Sequence, residues 1–161
     1  MPDHPYLAER PPRWELRSAL DVAAPVETVF AWFSRPENLP MVTPPANALE
    51  LHTPTPVEMR EGTEIDYELP IAGLRAAWRT HVLTWDPPRS FVDVATKGPF
   101  RCWWHEHRFE PTATGTHIRD RVLFSAPLGP IGRAAEAAWV RPMLQRLFLY
   151  RRNAIRQRFA P

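Results

Sequence analysis

Residues 98–129, GPFRCWWHEHRFEPTATGTHIRDRVLFSAPLG, constrain the fold more than any other stretch of the chain. They read as two long strands joined by the turn Pro111-Thr-Ala-Thr-Gly115. Side chains alternate across a strand, so Arg101, Trp103, His105, His107 and Phe109 share one face of the first. Ile118, Asp120, Val122 and Phe124 share one face of the second. A slip of one residue would send Ile118, Val122 and Phe124 to solvent, so the register is determined. With Phe109 opposite Ile118, the expected pairs are His107 with Asp120, His105 with Val122 and Trp103 with Phe124. The result is an apolar wall holding two imidazoles and a carboxylate. Such groups are costly to bury unless they pair with each other, with water or with a ligand. The opposite parity, Phe100, Cys102, Trp104, Glu106 and Arg108, reads as an outer face on which Cys102 is incidental and Trp104 fits poorly.

The rest of the chain supplies a sheet and a cover for it. Residues 1–12 read as an extended lead-in, rich in proline and charge. Trp14 to Val22 alternates as a half-buried strand. Pro25 opens a helix carrying Val26, Val29, Phe30 and Phe33, and Arg35 to Pro40 breaks it with room for one more short turn. Strands are expected over Ala48–His52, Glu64–Leu69, Arg75–Trp85 and Phe91–Thr96, with Gly73 in the turn before the third. A three-residue turn through Lys97-Gly98-Pro99 predicts Phe91 opposite His105 and Asp93 opposite Trp103. Beyond Pro127 the period changes. Val140, Leu144, Leu147, Phe148, Ile155 and Phe159 mark the stripe of a long helix. Pro142 predicts a kink, or a break between Arg133–Arg141 and Met143–Phe159. The expectation is an α+β fold in which a curved antiparallel sheet wraps a long C-terminal helix. Space left between them would hold a ligand.

Composition removes several function classes. At 161 residues the chain suits one domain, expected to span 1–161, and a net charge of +2 gives no general case for nucleic-acid binding. Cys102 is the single cysteine, which excludes an intrachain disulfide. The N-terminal stretch lacks the apolar core of a signal peptide, and no apolar run approaches the ~20 residues needed to cross a bilayer. A cytoplasmic location is therefore expected.

Several spaced segments resemble the START-like (SRPBCC, helix-grip) superfamily. Within it they are most similar to the bacterial polyketide cyclase/dehydrase-like and coenzyme Q-binding-like proteins. They include Ala24-Pro25-Val26-Glu27-Thr28-Val29-Phe30, Pro88-Arg-Ser-Phe91-Val-Asp93, His105-Glu-His107-Arg-Phe109-Glu-Pro111, Gly115-Thr116, Asp120-Arg-Val122 and Leu147-Phe148-Leu-Tyr150-Arg151. The resemblance implies a seven-stranded antiparallel sheet gripping the C-terminal helix around an apolar pocket, with two short helices after the first strand. Its members include lipid and quinone carriers, cyclases and hormone receptors, so the fold ranks activities without choosing one.

The expected ligand-binding set is Phe91, Asp93, Arg101, Trp103, His105, His107, Asp120, Val122 and Phe124, with Leu144 and Phe148 from the closing helix. The expected partner is a small hydrophobic molecule such as a lipid, isoprenoid, quinone or polyketide, oriented by His105, His107 and Asp120. The rival is a cyclase or dehydratase in which those three residues transfer protons. A third reading uses the arginines of the closing helix, which face Glu136 as the single acid, for transient contact with an anionic membrane or an acidic partner. No cofactor and no metal is expected, because two histidines and a carboxylate across two strands are a weak ligand signal.

Overall fold

The structure is a computed structural model that describes residues 4–47, 49–71 and 74–160. The extended lead-in expected of residues 1–12 is instead partly helical. Pro5–Glu9 form α1, capped by His4, whose Nδ1 accepts the Tyr6 N–H at 3.1 Å. Pro5 suits this first turn, where its missing N–H has no partner to lose, and Leu7 is buried. Then follow β1 (Trp14–Val22), α2 (Val26–Phe33) and a 3-10 segment, Pro36–Val42. The sheet continues with β2 (Glu50–Leu51), β3 (Glu64–Ile71), β4 (Leu74–Asp86), β5 (Ser90–Lys97), β6 (Cys102–Thr112) and β7 (Gly115–Ser125). The chain closes with α3 (Gly129–Ala135) and α4 (Arg141–Arg158). The second strand is shorter than the five residues predicted, and Ala48 and Gly73 lie outside the described residues.

All pairings are antiparallel, and β1 returns to the edge of β7 to give the order β1-β7-β6-β5-β4-β3-β2. This is the helix-grip architecture, α+β with a seven-stranded sheet. The β6–β7 register is the predicted one: Phe109 faces Ile118, His107 faces Asp120, His105 faces Val122 and Trp103 faces Phe124. The turn is tighter than expected, because pairing runs to Thr112 opposite Gly115. Gly115 has φ +152°, and a Cβ there would stand 2.0 Å from the Val22 carbonyl oxygen, so the end of β1 leaves no room for a side chain.

The β5–β6 register differs from the prediction by two residues. Phe91 faces His107, and Asp93 faces His105. The cause is Tyr6. Pairing stops at Val94 with Trp104, and beyond it the Tyr6 hydroxyl stands between the strands, 3.0 Å from the Ala95 carbonyl and 3.1 Å from the Trp103 carbonyl. It also accepts the Trp103 N–H at 3.1 Å. The connection is thus wider than a three-residue turn. The same helix explains the outer parity, since Leu7 packs with Val92, Val94, Cys102, Trp104 and Leu123. Cys102 and Trp104 are therefore buried beneath α1, and burial pushes the Cys102 thiol up to about 11. Tyr6→Phe is expected to cost about 1–2 kcal/mol in a denaturant titration and to speed hydrogen exchange at the Trp103 amide.

Pro142 does not break the closing helix. Glu136–Val140 form one π turn between α3 and α4, in which the Arg141 N–H reaches back five residues to the Glu136 carbonyl. The widened turn delivers Pro142 into the first turn of α4, where its missing N–H is tolerated. From there α4 divides its buried face between two core clusters. Ile155 and Phe159 pack with Phe30, Phe91, Phe109 and Ile118. Val140, Leu144 and Phe148 pack with Trp78, Trp103, Val122 and Phe124.

Candidate functional site

A cavity of about 130 Å³ is lined from both clusters. Phe91, Asp93, Trp103, His105 and His107 of β5 and β6 line it, and α4 contributes Leu147, Phe148 and Arg151. Trp32 and Phe33 of α2, together with the 3-10 segment, complete one side, and Ile65, Tyr67, Thr80 and Val82 the other. A second lobe of about 80 Å³ shares Leu39, Tyr67, Trp103, Leu147 and Arg151 and extends to Trp78 and Leu144.

Four polar side chains form a connected set in this wall. Strand alternation places His105 and His107 two residues apart on one face, Asp93 opposite His105 and Asp120 opposite His107. His105 Nε2 lies 3.2 Å from Asp120 Oδ1 in a hydrogen bond. His107 Nδ1 lies 2.8 Å from the same oxygen but off the direction of a ring N–H, so this is a charge contact and not an aligned hydrogen bond. His107 Nε2 lies 3.3 Å from Asp93 Oδ2. The two imidazole centroids are 3.8 Å apart, and Phe91 stacks on His107 at 4.2 Å.

These contacts drive neighbouring groups apart in acidity. Burial alone would lower the pKa of His107, but its contacts with Asp120 and then Asp93 outweigh burial and hold it above the ordinary imidazole value. Burial, reinforced by the charge on His107, holds His105 below it against the pull of Asp120. Burial opposes the Asp120 carboxylate, yet the two histidines together hold it well below the usual carboxylate range. The two rings are thus pushed in opposite directions in acidity, the pattern required of a paired donor and acceptor. Asp93, His105 and His107 also bring donor atoms within 4.8 Å of one another, the geometry of a potential metal-ligand set.

The predicted residues divide. Phe91, Asp93, Trp103, His105, His107 and Phe148 border the main cavity. Asp120 is buried behind the imidazoles, and Leu144 borders only the second lobe. Val122 and Phe124 share the face but are covered by packing against α4. Arg101 is a correction: it is exposed and precedes β6, because pairing with β7 begins at Cys102. Arg151, one of the closing-helix arginines expected to meet a membrane or an acidic partner, lines both lobes, with its guanidinium 5.0 Å from the Phe148 ring centroid. Its Nε is buried without an acceptor among the described residues. The signal was present, since Arg151 follows Leu147 and Phe148 at the i+4 and i+3 spacings of one helix face. Arg141 instead lies over Trp14 at 4.0 Å, and no described helix is long and apolar enough to cross a membrane.

None of the curated proteins matches the chain. The protein TTHA0849 from Thermus thermophilus is similar in structure with a TM-score of 0.69 at 18% identity, covering 91% of this chain and 97% of its own. A START superfamily protein from Mycobacterium smegmatis gives 0.68 at 16% identity, covering 90% and 96%. Major latex-like protein 151 from Panax ginseng gives 0.66 at 14%, covering 92% and 98%. At such identities these likenesses establish the fold alone. Residues 13–156 match the sequence profile described as polyketide cyclase / dehydrase and lipid transport. With that match covering most of its length, the chain belongs to the polyketide cyclase/dehydrase and lipid transport family.

Proposed function

We propose that this protein binds, and in binding carries, a small hydrophobic molecule with a polar oxygen at one end. The observation that supports this most is a largely apolar cavity bordered by the His105–His107 pair from the sheet and Arg151 from the helix. Apolar burial at about 25 cal/mol per Å² supplies affinity, and the polar groups supply orientation. The dimensions favour one aromatic ring in the main cavity and an apolar tail in the second lobe, or a larger lipid, isoprenoid or polyketide if α4 moves outward. Native mass spectrometry tests the reading. Protein purified without added ligand is expected to carry a noncovalent small molecule, and Leu147→Trp, which fills the space common to both lobes, is expected to lose it. A bare wild-type mass that does not change when lipid or aromatic compounds are added would contradict it.

The unequal acidity of the two histidines also favours a second reading, proton transfer during ring closure or dehydration of a bound polyketone. His107→Gln then retains ligand and loses turnover; equal loss of both would return the site to binding alone.

A further inference from the structure

We propose that Asp93, His105 and His107 form a site for a first-row divalent metal ion whose remaining coordination positions open into the cavity. The three residues come from facing positions on adjacent strands, β5 and β6, and each offers a donor within 4.8 Å of the other two. Ligands on a common ion at about 2.0–2.2 Å stand somewhat closer than that, so modest side-chain rotation closes the set. Two imidazole nitrogens and one carboxylate suit zinc, iron(II), cobalt(II) or nickel(II), whereas magnesium and calcium favour oxygen ligands.

Asp120 gives the second, independent observation. It lies 3.2 Å from one nitrogen of His105 and 2.8 Å from one nitrogen of His107. A carboxylate placed behind a metal-bound imidazole fixes the ring and its tautomer, leaving the second nitrogen free to ligate. Here Asp120 does this for His105 through a hydrogen bond and lies in charge contact with Nδ1 of His107, whose second nitrogen is the one turned to Asp93. Charge is compatible with this. Asp93 and Asp120 both lie against His107, and an ion bound to that ring would displace its proton and take over the balance of the two carboxylates. An ion held there would offer a Lewis-acidic position to a carbonyl or phenolic oxygen of a cavity ligand. The assignment goes beyond the ligand-binding reading and does not depend on it, since the metal is tested alone.

The full chain, stripped with chelator, is titrated with cobalt(II). The expected result is a set of visible d–d bands that saturates at one equivalent and disappears when zinc is added. Asp93→Asn and His105→Ala are expected to weaken binding by about 100-fold or more, and Asp120→Asn by about 10–100-fold. His117→Ala, which removes an outer imidazole paired with Asp21, should keep wild-type affinity. No saturating bands in the wild type, or undiminished affinity in Asp93→Asn, overturns the proposal. Should the variants fail to fold, imidazole NMR of the wild type decides. Zinc shifting His105 and His107 together supports the site, and zinc shifting only His52, His81 or His117 overturns it.

Discussion

Glu136→Ala is expected to destabilise the protein by about 3–5 kcal/mol, the scale for leaving a buried ion pair without one partner. Glu136 is fully buried in the π turn. Its carboxylate accepts from Arg13 Nε at 3.0 Å and Nη2 at 2.7 Å, from Trp14 Nε1 at 2.9 Å and from the Ala126 amide. One side chain thus ties the start of β1, the end of β7 and the closing helix together. Truncation leaves Trp14 Nε1 and the Ala126 amide without this acceptor and Arg13 without its counter-charge, although Arg13 keeps the Ala126 carbonyl, whereas Glu136→Gln keeps the shape and loses the charge. Burial works against this carboxylate, but Arg13, the Ala126 amide and Trp14 together hold its pKa below the ordinary value. Its stabilisation is therefore present above the unfolded carboxylate value of about 4.3 and is lost as pH falls through the lower folded value. Denaturant midpoints across the acid range should show this slope in the wild type, and Glu136→Gln should flatten it. An Ala variant within about 0.5 kcal/mol of the wild type would contradict the role.

Asp120→Ala should cost a similar amount, about 3–5 kcal/mol, with a different signature. The raised pKa of His107 gives stability that is present below the unfolded imidazole value of about 6.5 and is lost as pH rises through the folded value. The lowered pKa of His105 runs the other way, so its neutral form contributes less as pH falls below about 6.5. Together they predict a stability maximum near the ordinary imidazole value, measured in the presence of chelator. Asp120→Asn removes the support that raises His107 and opposes the lowering of His105. It is therefore expected to flatten the alkaline arm and steepen the acid one between about pH 4 and 6.5, while below about pH 4 the slope due to Asp120 itself disappears. Two parallel pH profiles for wild type and Asp120→Asn would show that the pair is not coupled as the distances imply.

The β6–β7 register was legible in the sequence because Phe109, Ile118, Val122 and Phe124 permit one pairing that keeps them all inside. Trp14–Val22, α2 and the stripe on α4 were legible for the same reason: period and burial agree along each element. The misreadings arise where a distant residue overrides a local pattern. Tyr6, from a segment read as extended, bridges β5 and β6 where their pairing ends, and the longer connection places Asp93 opposite His105. Leu7 turns the outer parity of β6 into a second buried face. Glu136 read as a lone acid among arginines, because nothing local shows that Arg13 and Trp14, 120-odd residues earlier in the chain, will meet it. Of the two outcomes read from Pro142, the break does not occur, since a π turn just before it keeps the helix continuous. The two imidazoles and Asp120 were thus readable as a group. Asp93 was read as part of the binding face but opposite Trp103, and only the structure places it beside the histidines; the spacing of Arg151 on the face of Leu147 and Phe148 was readable but was not used.

The central claim is that the space between the sheet and α4 accepts an apolar molecule and presents its polar end to His105 and His107. A titration of the isotope-labelled protein with 4-methylphenol, followed by NMR, tests it most directly, because that probe carries one ring and one hydroxyl. The account predicts saturable shifts at His105, His107 and the side chain of Arg151, with Kd about 0.1–1 mM for so small a ligand, and their loss in Leu147→Trp. Shifts that never saturate, or that fall only on the outer faces of the sheet and α4, would contradict it.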